Sequence, residues 1–349
     1  MKEKSSGKIR AMQMAAKYLK LTGGFPIRNI YGGVGQILMF HRVIPEFTRE
    51  RIWSNSYLEV TTDYFEKVIL YYKKHNFEFL SLDELASKGF SLKKKFVAFT
   101  FDDGFKDNLY HALPVMKKYD VPLNLYVAAD FPDHKSILWW NTVEDVILKN
   151  HKLSFEWFGA PMQFHCSSPD EKNETFGKIH SLIQEGTRLT IRERALMFCQ
   201  IFGVDPYSSI KELALSWDEV RQLSKDNLVV IGAHSVSHPV LSQLSDEDSF
   251  NEISQSKLRI EKEIGLKVSH FSYPFGGTKE ASPREYEFAR KCNFETAVTT
   301  VSASVMKSHQ KKLLQLPRIA VGMSMQEDTF DLLRFGVIQM MRSNGTVSF

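Results

Sequence analysis

The chain of 349 residues is 43% hydrophobic and 25% charged, a composition typical of a soluble globular protein. Its net charge of +4 is small and dispersed, which argues against a nucleic-acid-binding protein. No apolar run approaches the roughly 18 residues of a membrane-spanning helix, and the N-terminal residues lack the apolar segment of a signal peptide. Three widely spaced cysteines without a metal-ligand pattern fit reduced thiols, so we expect a cytoplasmic protein.

Residues 1–30 form a basic N-terminal segment that we separate from a main domain at residues 31–345. Residues 8–20 of this segment carry apolar side chains at positions 9, 12, 16 and 19, the spacing of an amphipathic helix. Two interpretations remain open. The helix either makes a peripheral contact with the anionic inner membrane surface or packs against the main domain.

Strand and helix patterns alternate through most of the remaining chain, which predicts an α/β fold. Strand patterns are short apolar runs, helix patterns place apolar residues on one face, and capping boxes mark helix starts. These patterns predict strands at residues 37–40, 123–128 and 267–272, helices at residues 63–74 and 246–264, and helix starts at Ser81, Ser216 and Ser282.

A pair of adjacent carboxylates follows the apolar strand pattern at residues 96–101. The run stops at Asp102, Asp103 and Gly104. In parallel α/β folds, ligands collect at the edge where strands end. Two neighbouring carboxylates there either shift each other's pKa or hold a cation. Because successive residues of an extended chain point in different directions, we expect the two carboxylates to have separate roles.

Residues 131–215 interrupt the alternation, since a connection between a strand and a helix is normally about 2–6 residues long. The segment is rich in aromatic residues, which predicts an ordered subdomain rather than a tail. Inserted segments of this kind commonly build substrate walls or lids.

Two histidines follow the next strand pattern. His234 ends an apolar run and His238 lies four residues later, which puts both imidazoles on one side of a single turn. Pro239 restricts His238 to extended or turn geometry. Two imidazoles and one carboxylate make a facial site for a divalent ion with open positions for water and substrate. A single histidine at a strand end is usually a hydrogen-bonded structural residue, but the grouping with two carboxylates favours a metal site.

Three sequence motifs occur in the order found in a known family. Thr100-Phe-Asp-Asp-Gly104, His234-Ser-x-x-His238 and Phe271-Ser-Tyr-Pro-Phe-Gly276 resemble motifs of the NodB-type polysaccharide deacetylases, a carbohydrate esterase family. The resemblance covers about residues 36–325 and is interrupted by the insertion. It implies a distorted (β/α) barrel with a long inserted segment. It also implies the removal of acetyl groups from N-acetylated sugars with the help of a divalent metal.

The resemblance assigns roles to individual positions of the motifs. Asp102 corresponds to the catalytic base, and Asp103, His234 and His238 correspond to the ligands of one divalent ion, which we expect to be zinc. The backbone amide of Phe275 corresponds to a donor of the oxyanion hole.

The chain departs from the family pattern at two places. Many members have an arginine where this chain has Ser272, and the late Leu-x-His motif, with its general-acid histidine, has no match near Leu316. Both departures, and an aromatic-His element that ends at His41, are similar to the branch that acts on poly-N-acetylglucosamine. His41 is therefore either the acid, a substrate contact or a structural strand-end residue. We expect Arg318 to orient the carboxylate of Asp102 in place of the missing arginine.

The substrate implied by the resemblance is an N-acetylated saccharide of surface polysaccharide or lipid-linked saccharide metabolism. We predict substrate contacts at Tyr273 and Pro274 in the third motif and at Trp139 and Trp140 in the insertion, although the tryptophans fit buried packing as well. Two other functions are considered. An iron oxygenase with two histidines and one carboxylate is disfavoured, because its ligands normally lie on a β-sandwich with His-x-Asp/Glu spacing. A non-catalytic carbohydrate-binding relative is compatible with the two departures.

Overall fold

The computed structural model describes residues 31–90, 92–185 and 189–342. The predicted amphipathic helix at residues 8–20 lies outside the described residues. None of the helices described is both long and apolar enough to cross a membrane.

The described part of the chain contains twelve strands, most of them short and buried. In chain order they are β1 (Gly35–Phe40), β2 (Arg42–Ile44), β3 (Glu59–Thr61), β4 (Glu78–Phe79), β5 (Phe96–Phe101), β6 (Leu123–Val127), β7 (Lys152–Trp157), β8 (Ala160–His165), β9 (Val229–Ala233), β10 (His270–Ser272), β11 (Thr296–Val298) and β12 (Ile319–Ala320).

Eight of these strands form one parallel sheet in the order β11-β10-β9-β6-β5-β1-β12, with β4 paired to β5. Every residue of β1 and β5 is buried, as expected for parallel strands that are covered on both faces. Strands β2 and β3 pair separately in parallel, and β7 and β8 form an antiparallel hairpin.

A short segment at residues 316–320 joins the two ends of this sheet. At one end Leu316 pairs with Val298 of β11, and the Thr299 amide donates to the Leu316 carbonyl over 2.8 Å. At the other end Ile319 pairs with Leu38 of β1. The sheet therefore closes on itself through a few hydrogen bonds, which confirms the predicted distorted (β/α) barrel.

Helices follow most of the barrel strands. They are α1 (Trp53–Ser56), α2 (Thr62–Lys74), α3 (Leu82–Lys88), α4 (Leu113–Tyr119), α5 (Trp139–Leu148), α6 (Pro169–Gln184), α7 (Ile191–Phe202), α8 (Ser208–Leu213), α9 (Trp217–Leu223), α10 (Asp246–Ile264), α11 (Pro283–Lys291), α12 (Glu327–Arg334) and α13 (Val337–Arg342), with a π-helical turn at Asn108–Ala112 and 3₁₀ turns at Leu241–Gln243, Lys307–Lys311 and Leu313–Gln315. The capping boxes predicted at Ser81, Ser216 and Ser282 are present.

The described residues of the segment 131–215, which was predicted to be an insertion, form helices and a hairpin of their own. The segment contains α5 to α8 and the β7–β8 hairpin. These elements share a hydrophobic cluster that includes Trp139, Phe176 and Phe198. Because this cluster is separate from the barrel core, the insertion has packing of its own beside the barrel.

Candidate active site

Three loops of the barrel meet at the carboxyl edge of its sheet. Asp102 and Asp103 directly follow β5, His234 follows β9, and the turn that contains Phe275 follows β10. These strands are parallel and lie close together in the sheet, with β6 between β5 and β9. Their carboxyl ends therefore bring together side chains that are more than 130 residues apart in the sequence.

Asp103 and the two histidines form a compact group of three donor atoms. Oδ1 of Asp103 lies 3.4 Å from Nε2 of His234 and 3.4 Å from Nε2 of His238. The three ligand atoms all lie within 4.8 Å of one another. Oδ1 of Asp103 is buried and has no hydrogen-bond partner within the described ranges. An orphaned carboxylate oxygen that faces two imidazole nitrogens fits a divalent cation such as zinc.

The tautomer of His234 is set by a backbone carbonyl. Nδ1 of His234 lies 2.7 Å from the Ser272 oxygen, which only accepts hydrogen bonds. Nδ1 therefore carries the proton, and the lone pair of Nε2 points toward Asp103. Burial lowers the pKa of His238 to about 4, so this imidazole is neutral at pH 7, as a ligand must be.

Four residues of these loops have a left-handed backbone, which is uncommon outside glycine. The φ angles are 78° at Asp103, 63° at Ser235, 62° at His238 and 59° at Phe275. Each such residue costs about 1–3 kcal/mol, and strained positions of this kind cluster at functional sites. At His238 the left-handed angle departs from the extended geometry that a following proline favours, so Pro239 does not explain it.

The loop of the two histidines is held by Glu252 of α10. Its Oε2 accepts from the amides of Val236 and Ser237, at 2.8 and 2.9 Å, and its Oε1 accepts from the Ser237 hydroxyl at 2.7 Å. This role of Glu252 was not predicted from the sequence. Nothing in the helical pattern of α10 distinguishes this glutamate from its polar neighbours, and only the packing of α10 on the loop gives it this role.

Arg318 makes a bidentate ion pair with Asp102. Nη1 and Nη2 of the arginine donate to the two carboxylate oxygens, each over 2.7 Å, and the side chain is fully buried. Burial opposes ionisation of Asp102, but the guanidinium of Arg318 together with the nearby imidazoles of His234 and His41 outweighs burial, and the pKa of the carboxyl is lowered. Arg318 thus contacts the carboxylate that it was expected to orient, and its orienting role in catalysis stays a prediction.

Further hydrogen bonds fix the guanidinium in this position. Nε of Arg318 donates to the Thr299 carbonyl, and Nη2 also donates to the Ser272 hydroxyl, both over 3.0 Å. Ser272 is one of the two positions where the chain departs from the motif pattern that it resembles. In this chain the arginine comes instead from the segment that closes the barrel, and the small side chain of Ser272 leaves room for it.

His41 lies between β1 and β2, next to the candidate metal site. It lines a cavity of about 10 Å³ together with Asp103 and Trp140, which is space for about one water molecule. Burial lowers the pKa of His41, and the charges of the nearby Asp103 and Asp102 act in the opposite direction. The structure thus places His41 beside the two carboxylates.

The loop that carries His41 is anchored by Asp107, which the sequence analysis also missed. Asp107 accepts from Nε of Arg42 over 2.8 Å and from the Val43 amide over 3.1 Å. Arg42 in turn donates to Glu59 over 2.7 Å. The position of Asp107, three residues after the end of the motif at Gly104, is the only signal in the sequence that could have suggested this role.

Phe275 has a backbone amide without an acceptor among the residues that the structure describes. Its ring packs on the imidazole of His238, with centroids 5.0 Å apart. A free amide in a strained turn beside the metal ligands is a suitable donor for an oxyanion.

Two predicted substrate contacts need correction. The side chain of Tyr273 has no exposed surface, and its hydroxyl donates to the Leu314 carbonyl over 3.0 Å, so the ring belongs to the barrel core. Pro274 is buried as well. Tyr273 and Pro274 are thus part of the core beneath the turn and present no side chain to a sugar.

The two tryptophans of the insertion have different environments. Trp139 is 5% exposed and packs against His180, with ring centroids 4.7 Å apart, so the interpretation as buried packing applies. Trp140 is partly exposed, and its ring centroid lies 5.9 Å from that of His238. Of the two tryptophans, only Trp140 contacts a residue of the candidate metal site.

A family model described as polysaccharide deacetylase matches residues 91–296 of the chain. No curated protein matches the sequence significantly.

Several solved structures have a similar fold. The deacetylase PplD of Streptococcus pyogenes, in complex with acetate, has 19% identity and a TM-score of 0.55 over 85% of this chain and 96% of that one. IcaB of Ammonifex degensii has 17% identity and a TM-score of 0.52 over 86% and 96% of the two chains. A de-N-acetylase of Aggregatibacter actinomycetemcomitans has 13% identity and a TM-score of 0.54 over 85% and 98%.

Proposed function

The chain belongs to the polysaccharide deacetylase family, and we propose that it hydrolyses the acetamide of an N-acetylated sugar with one bound divalent ion. The observation that carries this proposal is the orphaned oxygen of Asp103 between two imidazoles, beside a carboxylate that an arginine holds in place. We further propose Zn²⁺ as the ion, because three nitrogen and oxygen ligands with open positions are typical of catalytic zinc.

The residues of the site can have separate roles in amide hydrolysis. A divalent ion held by Asp103, His234 and His238 would supply Lewis acidity toward water and the acetyl carbonyl. Asp102 is ionised, and each carboxylate oxygen keeps a lone pair that Arg318 does not use, so it can accept the proton of the attacking water.

The oxyanion and the leaving amine need two further groups. The Phe275 amide donates to the oxyanion of the tetrahedral intermediate. The nitrogen must be protonated before the C–N bond breaks, because an amide anion is a very poor leaving group. His41 lines a small cavity together with Asp103 and is not one of the three candidate metal ligands, so we assign the proton transfer to His41.

The Asp102–Arg318 pair favours an enzyme over a non-catalytic relative. A buried ion pair of this kind often stabilises a protein no more than apolar residues would, so its presence next to a metal centre is better explained by catalysis. A parallel barrel also differs from the β-sandwich that usually carries the iron site of oxygenases. The resemblance to the family further leads us to propose a role in surface polysaccharide or lipid-linked saccharide metabolism. From the composition we propose a location in the cytoplasm or at the inner membrane surface.

Acetate release from N-acetylated and O-acetylated saccharides, with defined added metals, tests the proposal. We expect release from N-acetylated sugars that depends on added metal and is lost in Asp103→Asn. Oxygen consumption without acetate release would instead support the oxygenase. Binding of the saccharide without acetate release, at any metal concentration, would support the non-catalytic relative.

A further inference from the structure

A chain of buried ion pairs connects the loop after β5 with the insertion. Nε of Arg42 donates to Asp107 over 2.8 Å, and its Nη1 donates to Glu59 over 2.7 Å. Arg51 donates through Nη1 to the other oxygen of Glu59, and through Nε to both oxygens of Glu144, over 3.0 Å each. None of the five side chains is more than 18% exposed. Acids and bases thus alternate from the loop after β5 to α5 of the insertion.

Glu144 is the end of this chain on α5, and its side chain has no exposed surface. Its Oε1 also accepts from the Ile52 amide over 2.6 Å, and its Oε2 accepts from Nδ2 of Asn55 over 2.9 Å. These donors, like Arg51, lie in the connection between β2 and β3. Because a buried charge has lost its hydration, a movement of α5 away from this connection would leave the carboxylate without compensation.

Both ends of the chain are adjacent to residues of the candidate site. On the barrel, Arg42 directly follows His41. On α5, Trp140 lies one turn before Glu144, and its ring contacts the imidazole of His238. The ion pairs therefore fix the position of the insertion relative to the loop that carries His41.

The chain also borders the small cavity of the site. Arg42, Arg51 and Glu59 line this cavity together with His41 and Asp103. Each of the two guanidiniums is bonded to two carboxylates, so neither carries an unpaired charge for an anionic ligand. Apolar residues of similar volume often stabilise a protein at least as well as buried ion pairs do. Stability alone therefore does not account for the chain, whereas the rigid fork of a guanidinium fits a role in positioning.

We propose that Glu144 is a positioning residue, which acts through this chain to hold His41 where it can protonate the leaving amine. This inference rests on the proposed function, in which His41 transfers that proton. Proton transfer requires the donor and acceptor atoms to be about 2.6–3.2 Å apart, so a small displacement of the loop would slow amide hydrolysis. The insertion thus contributes to the reaction through its contact with the barrel.

The variant Glu144→Gln keeps the size of the side chain and removes the charge that pairs with Arg51. We expect kcat for acetate release from an N-acetylated oligosaccharide to fall roughly 10²-fold, the cost that a displacement of about 1 Å can have, with KM and metal content nearly unchanged. The loss should be smaller on an activated ester, whose leaving group needs no proton. Asp145→Asn is the matched control. This neighbouring carboxylate pairs with the exposed Arg49, and its loss should leave kcat on both substrates unchanged.

The double variant His41→Ala/Glu144→Gln separates positioning from a general structural effect. If Glu144 acts through His41, its substitution adds no further loss to that of His41→Ala, whereas the effects of independent sites are additive. Arg51→Lys keeps the positive charge but lacks the planar fork, so it should reproduce the loss that is larger on the amide than on the ester. This variant decides the question if Glu144→Gln does not fold.

Other outcomes would overturn the inference and leave the proposed function intact. These are additive losses in the double variant, equal losses on amide and ester, or an unchanged kcat in both Glu144→Gln and Arg51→Lys. Failure of the wild type to release acetate from any N-acetylated saccharide would count against the proposed function itself.

Discussion

Asp102 and Asp103 are adjacent in the chain, yet they contact different partners. Asp102 pairs with Arg318, whereas Asp103 faces His234 and His238. We predict that Asp102→Asn lowers turnover roughly 10²–10⁴-fold but keeps the metal, because the base is lost and the ligands remain. Asp103→Asn should lose both. Metal content after dialysis and acetate release measure the two effects.

His234→Ala is the control for the metal assignment. Loss of metal in this variant and retention in Asp102→Asn would agree with the separate roles. Equal metal content in the wild type and His234→Ala would remove the assignment of these ligands. If Asp102→Asn lost metal as completely as Asp103→Asn, both carboxylates would be ligands and the base would lie elsewhere.

Arg318 is a positioning residue, since it acts through Asp102. In Arg318→Lys the charge remains, but a lysine cannot donate to both carboxylate oxygens from a planar fork. We predict a loss in kcat on the order of 10²-fold, with KM and metal content nearly unchanged. Arg318→Ala should also destabilise the fold, by about 3–5 kcal/mol, because it leaves Asp102 buried without a partner. An unchanged kcat in Arg318→Lys would reject the orienting role.

His41 is tested by the choice of substrate. We predict that His41→Ala costs roughly 10²–10⁴ in turnover of the acetamide, the usual range for one positioned acid. The loss should be smaller for an activated ester, whose leaving group needs no proton. Equal losses on both substrates would make His41 a binding or structural residue, and no loss would leave it a strand-end histidine.

At the scale of elements, the turns after β5, β9 and β10 carry the left-handed residues of the site, and neighbouring elements hold them. Helix α10 has two functions in this arrangement. Glu252 supports the loop of the two histidines. Asn251 of the same helix lines the large cavity that His238 also borders. The segment at residues 316–320 likewise has two functions. It closes the barrel, and it carries Arg318, which pairs with Asp102.

We predict that Glu252→Ala weakens zinc binding roughly 10–100-fold, the usual cost of losing a group that supports metal ligands. The backbone amides of Val236 and Ser237 lose their acceptor, so His238 is held less firmly. A competition assay with a zinc chelator measures the affinity. Glu247→Ala, an exposed residue of the same helix, should bind zinc as the wild type does. An unchanged affinity in Glu252→Ala would show that the loop needs no support from α10.

At the scale of the whole molecule, the barrel and the insertion together line the large cavity beside the site.

The basic segment at residues 8–20 leads to the hypothesis of a membrane contact. Deletion of residues 1–20 should reduce membrane association in low salt without reducing metal binding, because attraction to anionic lipid is screened by salt. Cell fractionation at low and high salt checks this. Wild-type protein that is wholly in the soluble fraction at both would end the hypothesis.

The sequence by itself determined the strand ends, the helix caps and the residues that follow each strand. Asp103, His234 and His238 could be predicted as one site because parallel strands end at a common edge, and this rule needs no knowledge of distances. The insertion was also visible, since it exceeds the length of an ordinary connection between a strand and a helix.

Only the tertiary structure decided which side chains are buried and which distant elements touch. Tyr273 lies in the same motif as Phe275, and Trp139 is adjacent to Trp140, but both side chains are buried in the core. No local pattern in the sequence distinguishes these two buried residues from Trp140. Glu252 acquires its role because α10 packs on the histidine loop, and the large cavity exists only where the insertion faces that helix. These features depend on contacts between segments far apart in the chain, which hydrophobic periodicity and motif spacing do not specify.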